Sequence, residues 1–264
     1  MGRTVVQPRL RGLSRYLDLA VREGFWFEAI EPAYPEHLDQ LPEYFTAYRK
    51  VVPKGRTVAV HGPYYDIVLH SPDPQVRRLS ETRVRESLRW AKELGADYLI
   101  LHTNHIPLIR EPTYDAHWLA AHIDFFAGLP ADSVTVLLEN MWDPSPDLAV
   151  RLVEELGSDR LRLCFDVAHW NVHATVSMRE WFARAGAYTP YVQLGDNNGD
   201  CDADLAIGSG TVDWAEFDRC LRRYAPDADG MVGVGIDDGS RLDRSLAYLR
   251  QHQLHPFGVE GQRD

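Results

Sequence analysis

Short apolar runs recur along the chain, separated by longer stretches in which apolar residues return at every third or fourth position. The runs fit β-strands and the stretches fit amphipathic helices. Strands are predicted at 5–6, 25–30, 57–61, 98–102, 134–139, 161–166, 191–194 and 231–236. Helices are predicted between them at 80–93, 116–126, 146–156, 178–185, 214–224 and 241–250, with Ser145-Pro146 and Asp213 as start signals. Strand and helix alternating from end to end build βα units around a parallel sheet. Eight strands predict an α/β fold closed into a single (β/α)8 TIM barrel, and an open doubly wound sheet with the same periodicity is the structural alternative. The 264 residues suit one such barrel, and no linker, low-complexity tract or repeat interrupts them, so a single domain over 1–264 is expected.

Several of the predicted strands end on a residue that can bind a metal or move a proton. His61 closes VAVH, His102 closes LILH, Glu139 closes VLLE, and Asp166 closes LCFD with His169 three residues on. Any one of these has an ordinary use as a hydrogen-bonded residue at the edge of a core. In a parallel barrel, however, every strand C-terminus opens on the same face, so these residues converge over one mouth. Imidazole nitrogen mixed with carboxylate oxygen suits a divalent ion such as Zn²⁺, Mn²⁺ or Mg²⁺, and carboxylates pooled without a cation would repel one another. His61, His102, Glu139, Asp166 and His169 are therefore the expected metal ligands. Beyond strand seven, Asp196, Asp200, Asp202 and Asp204 lie in a Gly-rich acidic loop, read either as solvated or as part of the site. Asp237 and Asp238 follow strand eight, where a carboxylate serves a site or caps a helix equally well.

Charge narrows the function. A formal net charge of -11 is a poor footprint for gripping phosphodiester backbone, so no nucleic-acid partner is expected. Arg77, Arg78, Arg83, Arg85 and Arg89 are interleaved with Glu81 and Glu86 and read as a solvated helix face. No apolar run approaches the ~20 residues of a membrane span, and the opening MGRTVVQPRLRGL lacks the apolar stretch of a secretory signal. A cytoplasmic protein with no membrane partner is expected. Its three cysteines, Cys164, Cys201 and Cys220, have no paired spacing and read as free thiols.

At these residues the chain resembles the xylose-isomerase-like barrel superfamily, which includes sugar isomerases and epimerases, inosose dehydratases and the endonuclease IV group. The likeness runs from about Val58 to Trp214 and is carried by HGPYYDIVLHSPDPQVRRLSETRVRESLRWAKELGADYLILHTNH, followed by LLEN, FDVAH and IGSGTVDW. It implies that His61, His102 and Glu139 match metal ligands of the nuclease group, and that Glu139 is shared with the epimerases. Asp166 matches a ligand in both groups and His169 one in the nuclease group. Three positions depart from the pattern. Gln193 stands where a strand-seven histidine is usual, Asp202-Ala203-Asp204 stands for D-x-H, and the strand-eight glutamate has no clear counterpart, Gly235 lying at its place and Asp237 two residues on.

The resemblance implies a metal-dependent isomerase or epimerase of a small sugar, cyclitol or related hydroxy-carbonyl compound. The metal would polarise the carbonyl and stabilise an enediolate while Glu139 or a neighbouring carboxylate removes the proton, with Asp237 as the candidate for the second acid/base group. Tyr64, Asn140, Trp142, Trp170 and Gln193 are expected to contact the polyhydroxylated substrate. A phosphodiesterase of the endonuclease IV type, a dehydratase or lyase, and a non-catalytic binding barrel are the other readings. A homo-oligomer is compatible with all of them.

Overall fold

The computed structural model describes residues 2–9, 13–34, 37, 40–130, 134–233 and 239–258. Its strands are β1 (Thr4–Val6), β2 (Trp26–Ala29), β3 (Thr57–His61), β4 (Tyr98–His102), β5 (Thr135–Glu139), β6 (Leu161–Asp166), β7 (Tyr191–Leu194) and β8 (Asp229–Val232). All pair in parallel with their sequence neighbours, and β8 returns to β1 to close the barrel, which excludes the open sheet. Helices α1 (Leu13–Glu23), α2 (Leu41–Val51), α3 (Pro74–Leu94), α4 (Tyr114–Ala127), α5 (Asp147–Leu156), α6 (Val167–His173), α7 (Met178–Ala185), α8 (Trp214–Tyr224) and α9 (Gly239–Gln251) lie between and after the strands.

Strand periodicity sorts the core into two parts. One face of the strands, with Val60, Leu99, Leu101, Leu138, Phe165 and Leu194, packs against Trp118, Phe126, Phe182 and Phe217 of the helices. The other face fills the barrel with Val5, Ala59, Ile100, Leu137, Cys164, Tyr191 and Met231, all 2% exposed or less. All three cysteines are free thiols, Cys164 within this inner layer. Among the described residues no helix is long and apolar enough to cross a membrane.

The boundaries differ from the sequence reading where polar residues do the work. Helix α3 starts at Pro74 rather than 80 because Asp73 caps it, accepting from the Gln75 amide at 2.7 Å, and proline suits a first helical turn. Strand β8 starts at Asp229 rather than 231. Asp229 can enter the barrel because Arg3 wraps it, donating from its backbone amide at 2.6 Å, from Nε at 3.0 Å and from Nη2 at 2.7 Å. Positions 234–236 of the predicted last strand, and with them Gly235, Asp237 and Asp238, lie outside the described residues.

A histidine cluster stitches the β3–α3 loop to α4. Tyr114 Oη lies 3.2 Å from His70 Nε2, His122 Nδ1 donates to the Trp118 carbonyl at 2.7 Å, and the His122 ring stacks on Trp118 at 3.9 Å. Burial, reinforced by His117 and His105, pushes His70 down from 6.5 to about 4. Burial likewise takes His122 to about 3. Both folded values lie below the unfolded one, so this contribution to stability is complete above about pH 6.5 and is lost as pH falls through the folded values. Thermal midpoints of the wild type should therefore drop more steeply between pH 6.5 and pH 4 than those of His122→Phe. Parallel curves for the two proteins over that range would show that these rings play no part in acid lability.

Candidate metal centre at the barrel mouth

Two residues beyond each inner-layer position, on the same side of the strand, the chain turns polar. Val5 gives way to Gln7, Ala59 to His61, Ile100 to His102, Leu137 to Glu139, Cys164 to Asp166 and Tyr191 to Gln193, while Met231 gives way to Gly233, which has no side chain. On β2, Trp26 is followed by Glu28. The closed register sets His102 opposite Glu139 and Asp166 opposite Gln193. The barrel is thus an apolar plug under a polar layer at its C-terminal end.

Glu139, 1% exposed, is the hub of that layer. His102 Nε2 lies 3.0 Å from its Oε1, His61 Nε2 lies 3.2 Å from Oε2, and His169 Nδ1 lies 3.2 Å from Oε1. The tautomers of the first two rings are fixed by their far nitrogens. His61 Nδ1 sits 2.9 Å from the Gly62 carbonyl and His102 Nδ1 sits 3.2 Å from the Met141 thioether, and neither of those groups can donate. With hydrogen on both Nδ1 atoms, each ring in its neutral form points an Nε2 lone pair at a carboxylate oxygen, and in its protonated form donates from Nε2 to that oxygen instead. Lone pairs facing one another at these distances need a proton or a cation between them. This donor set therefore fits a divalent ion on His61, His102 and Glu139.

His169 is oriented differently. Its Nδ1 lies 2.8 Å from the Asn140 carbonyl and its Nε2 3.4 Å from Asp202 Oδ2, so the protonated ring can donate to both. It also groups with Glu139 and Asp166 as a second cluster of ligand type. Asp166 caps α6, accepting from the His169 amide at 2.7 Å. The Asn140 side chain bridges β5 and β6, donating to the Asp166 carbonyl at 2.9 Å and accepting from the Asp166 amide at 2.8 Å.

The charges follow from this packing. Burial acts to raise Glu139, but His102 and hydrogen bonds from His102, His169 and His61 together outweigh it and hold the carboxylate well below its usual range. Burial lowers His102. His61 faces the same burial, but its hydrogen bond to Glu139 and the charge there leave it raised. Burial carries Asp166 up to about 7 against the pull of His169. His169 itself is raised well above its usual value, Asp166, Asp202 and Glu139 overcoming desolvation.

Aromatic rings stand along one side of the mouth. Tyr64 lies 6.2 Å from the His61 ring and 5.5 Å from that of His102, and Tyr34 meets Tyr64 edge-on at 5.8 Å. The Arg9 guanidinium covers Tyr34 at 4.8 Å. Trp142 is half-buried next to Met141, and Trp170 packs against the core beside Phe165. Gln193 is 1% exposed, with its Nε2 3.4 Å from Glu28 Oε1.

The acidic loop divides in two. Asp202 and Asp204 face the site, and burial followed by the charge of Asp202 raises Asp204 to about 6. Asp196 is 0% exposed and is the centre of the loop itself. Its Oδ2 accepts from the amides of Gly208 at 2.8 Å and Gly210 at 3.1 Å and from Trp214 Nε1 at 3.0 Å, and its Oδ1 accepts from the Asn197 amide at 2.9 Å and from that of Val212 at 3.4 Å. Gly210 must be glycine, because a Cβ there would collide with the Asn197 carbonyl and with Asp196. The word IGSGTVDW is therefore a wrap around one buried carboxylate. A separate cavity of about 340 Å³, lined by Leu88, Phe126, Leu129, Val136 and Leu161, sits toward the opposite ends of β5 and β6, away from the histidines.

The sequence reading missed Gln7, Glu28 and Tyr34. Glu28 lies inside the predicted strand 25–30 rather than at its end, so it did not stand out among the strand-terminal polar residues.

Residues 17–252 match the family model described as xylose isomerase-like TIM barrel. An uncharacterized protein of Methanocaldococcus jannaschii is 24% identical over 188 residues, 67% of this chain and 63% of that one. The match thus spans a little under two thirds of that relative's length. A Thermus thermophilus protein, from a crystal soaked with zinc chloride, superposes with a TM-score of 0.75 and 26% identity over 99% of this chain and 100% of that one. A D-tagatose 3-epimerase-like protein superposes with a TM-score of 0.71 and 20% identity over 95% of this chain and 96% of that one.

Proposed function

The chain belongs to the xylose isomerase-like TIM barrel family, and from that premise we propose that it is a divalent-metal-dependent isomerase or epimerase of a small sugar, cyclitol or related hydroxy-carbonyl compound. The observation that carries this reading is the pair of Nε2 lone pairs, on His61 and His102, turned onto the Glu139 carboxylate. The zinc soak of the Thermus relative and the epimerase-like name of the other neighbour support it. A divalent ion held by His61, His102 and Glu139 would supply Lewis acidity to a substrate carbonyl and its enediolate.

The protein's own groups do the rest. Glu139 is committed to two imidazoles, so Asp166 is the carboxylate better placed to take and return the proton beside the carbonyl, with His169 3.7 Å away to stabilise its charged form. Asp237 stays a proposal for the second acid/base group. Tyr64 and Tyr34 offer apolar faces to the carbon side of a polyol, and Gln193 and Asp202 offer polar atoms to its hydroxyls.

The test is proton exchange. With ketoses and cyclitol ketones in deuterated water, the metal-loaded protein should wash deuterium into the carbon next to the carbonyl of its substrate, read by NMR, and Glu139→Ala should not. His61 and His102 also suit a phosphodiesterase, the second reading. No nicking of an abasic DNA duplex is expected from this acidic chain, since binding the backbone needs a row of cations. Efficient metal-dependent nicking would replace the epimerase reading.

A further inference from the structure

Glu28 has no part in the proposed chemistry, yet it is a wholly buried carboxyl in the same polar layer. Its backbone pairs with Ala59, one rung below His61, and the small Ala59 side chain leaves the inside of the barrel open for it. Its partners are all neutral. Gln7 Nε2 donates to Oε1 at 2.7 Å, Gln193 Nε2 approaches the same oxygen at 3.4 Å, and Tyr191 Oη donates to Oε2 at 2.6 Å. Among the described residues no lysine or arginine pairs with it. A buried carboxylate held only by neutral donors is costly, and a glutamine would fill the same space without the charge. Burial raises its carboxyl above the usual range, and of its charged neighbours His61 favours the ionised form while Glu139 opposes it.

The charge of the layer gives Glu28 a purpose. Asp166 and His169 form their own pair. Two neutral imidazoles and Glu139 would then leave one positive charge of a dication unmatched, in a site where low dielectric magnifies the deficit. We infer that Glu28 is the second counter-charge for a divalent ion on His61, His102 and Glu139, acting from beneath the site without touching the ion. The inference rests on the metal reading above and adds a residue that this reading does not need as a ligand. The three donors fix the carboxylate's position, so it acts as a preset field.

The test compares wild type, Glu28→Gln and Glu28→Asp as full-length apo proteins. Zn²⁺ affinity is measured by competition with a chromophoric chelator, and melting temperature with and without Zn²⁺. In Glu28→Gln the Tyr191 hydroxyl can turn and the Gln7 amide can flip, so the layer can still satisfy its hydrogen bonds. The expected result is one Zn²⁺ per chain in all three, with affinity lowered roughly 10–100-fold in Glu28→Gln, the range typical of partners outside the ligand set. Glu28→Asp, which keeps the charge, should stay within a few-fold of wild type, and apo Glu28→Gln should melt no lower than the apo wild type. Wild-type affinity in Glu28→Gln would overturn the inference. So would equal losses in Glu28→Gln and Glu28→Asp accompanied by lower apo melting temperatures, which would mark a packing role. A wild-type protein that binds no Zn²⁺ would overturn the metal reading itself, and this inference with it.

Discussion

Replacing Glu139 with alanine is expected to abolish stoichiometric binding of a divalent ion, a loss beyond the ~10–100-fold that follows removal of a group outside the ligand set. Glu139 is the one anion that both His61 Nε2 and His102 Nε2 address. Without it two neutral imidazoles remain, and neither cancels any of the ion's charge. Elemental analysis after dialysis, together with melting curves in the presence and absence of chelator, reads the result directly. Wild type should hold one ion per chain and lose stability when it is stripped, whereas Glu139→Ala should hold none and be indifferent to chelator. A Glu139→Ala protein that still carried one ion would move the metal to Asp166 and His169 and end the assignment made above.

The second large effect is structural. Asp196→Ala is expected to destabilise the fold by roughly 3–5 kcal/mol, because it strips a buried anion from the donors gathered around it. Those donors come from five residues between Asn197 and Trp214, so the loss falls on a whole loop at once. In a domain of this size the melting temperature should fall by roughly 6–20 °C. Asp196→Asn keeps one acceptor oxygen and should lose less. The same loop carries Asn197, whose side-chain amide donates to the Ala168 carbonyl at 2.8 Å, so loosening it should also disturb α6 and the mouth. If Asp196→Ala melts within a degree or two of wild type, the loop is held by something other than this carboxylate.

The parts of the site that could be read from the chain are those in which a strand of ordinary length stops on a polar residue. His61, His102, Glu139 and Asp166 each end a strand of five or six residues, and barrel topology alone brings such ends together. Glu28 and Gln7 belong to the same layer but escaped notice because β1 and β2 are short and their alternation has too few positions to stand out. Helices α1, α2 and α6 escaped for related reasons. Helix α6 is one of the shortest, and α2 opens with Leu-Pro after a stretch that reads as loop. The acidic loop could not be resolved from spacing, since Asp196 and Asp202 have the same chemistry and differ only in which backbone amides the closed loop turns toward them. Asn140 looked like a mouth residue by position, but its amide is complementary to the backbone N–H and C=O of Asp166 on the neighbouring strand, which only the β5–β6 register reveals.

Asp166 has two roles in the structure: it lines the mouth among the ligand-type residues, and its Oδ1 caps the helix that carries His169. The cap fixes how this carboxylate is turned, and so the direction from which its remaining lone pairs face the mouth. The seating of α6 and the aim of a mouth carboxylate are therefore set by one side chain. Through α6 the same side chain is joined to the acidic loop, because Asn171 of that helix donates to Asn197 at 2.9 Å.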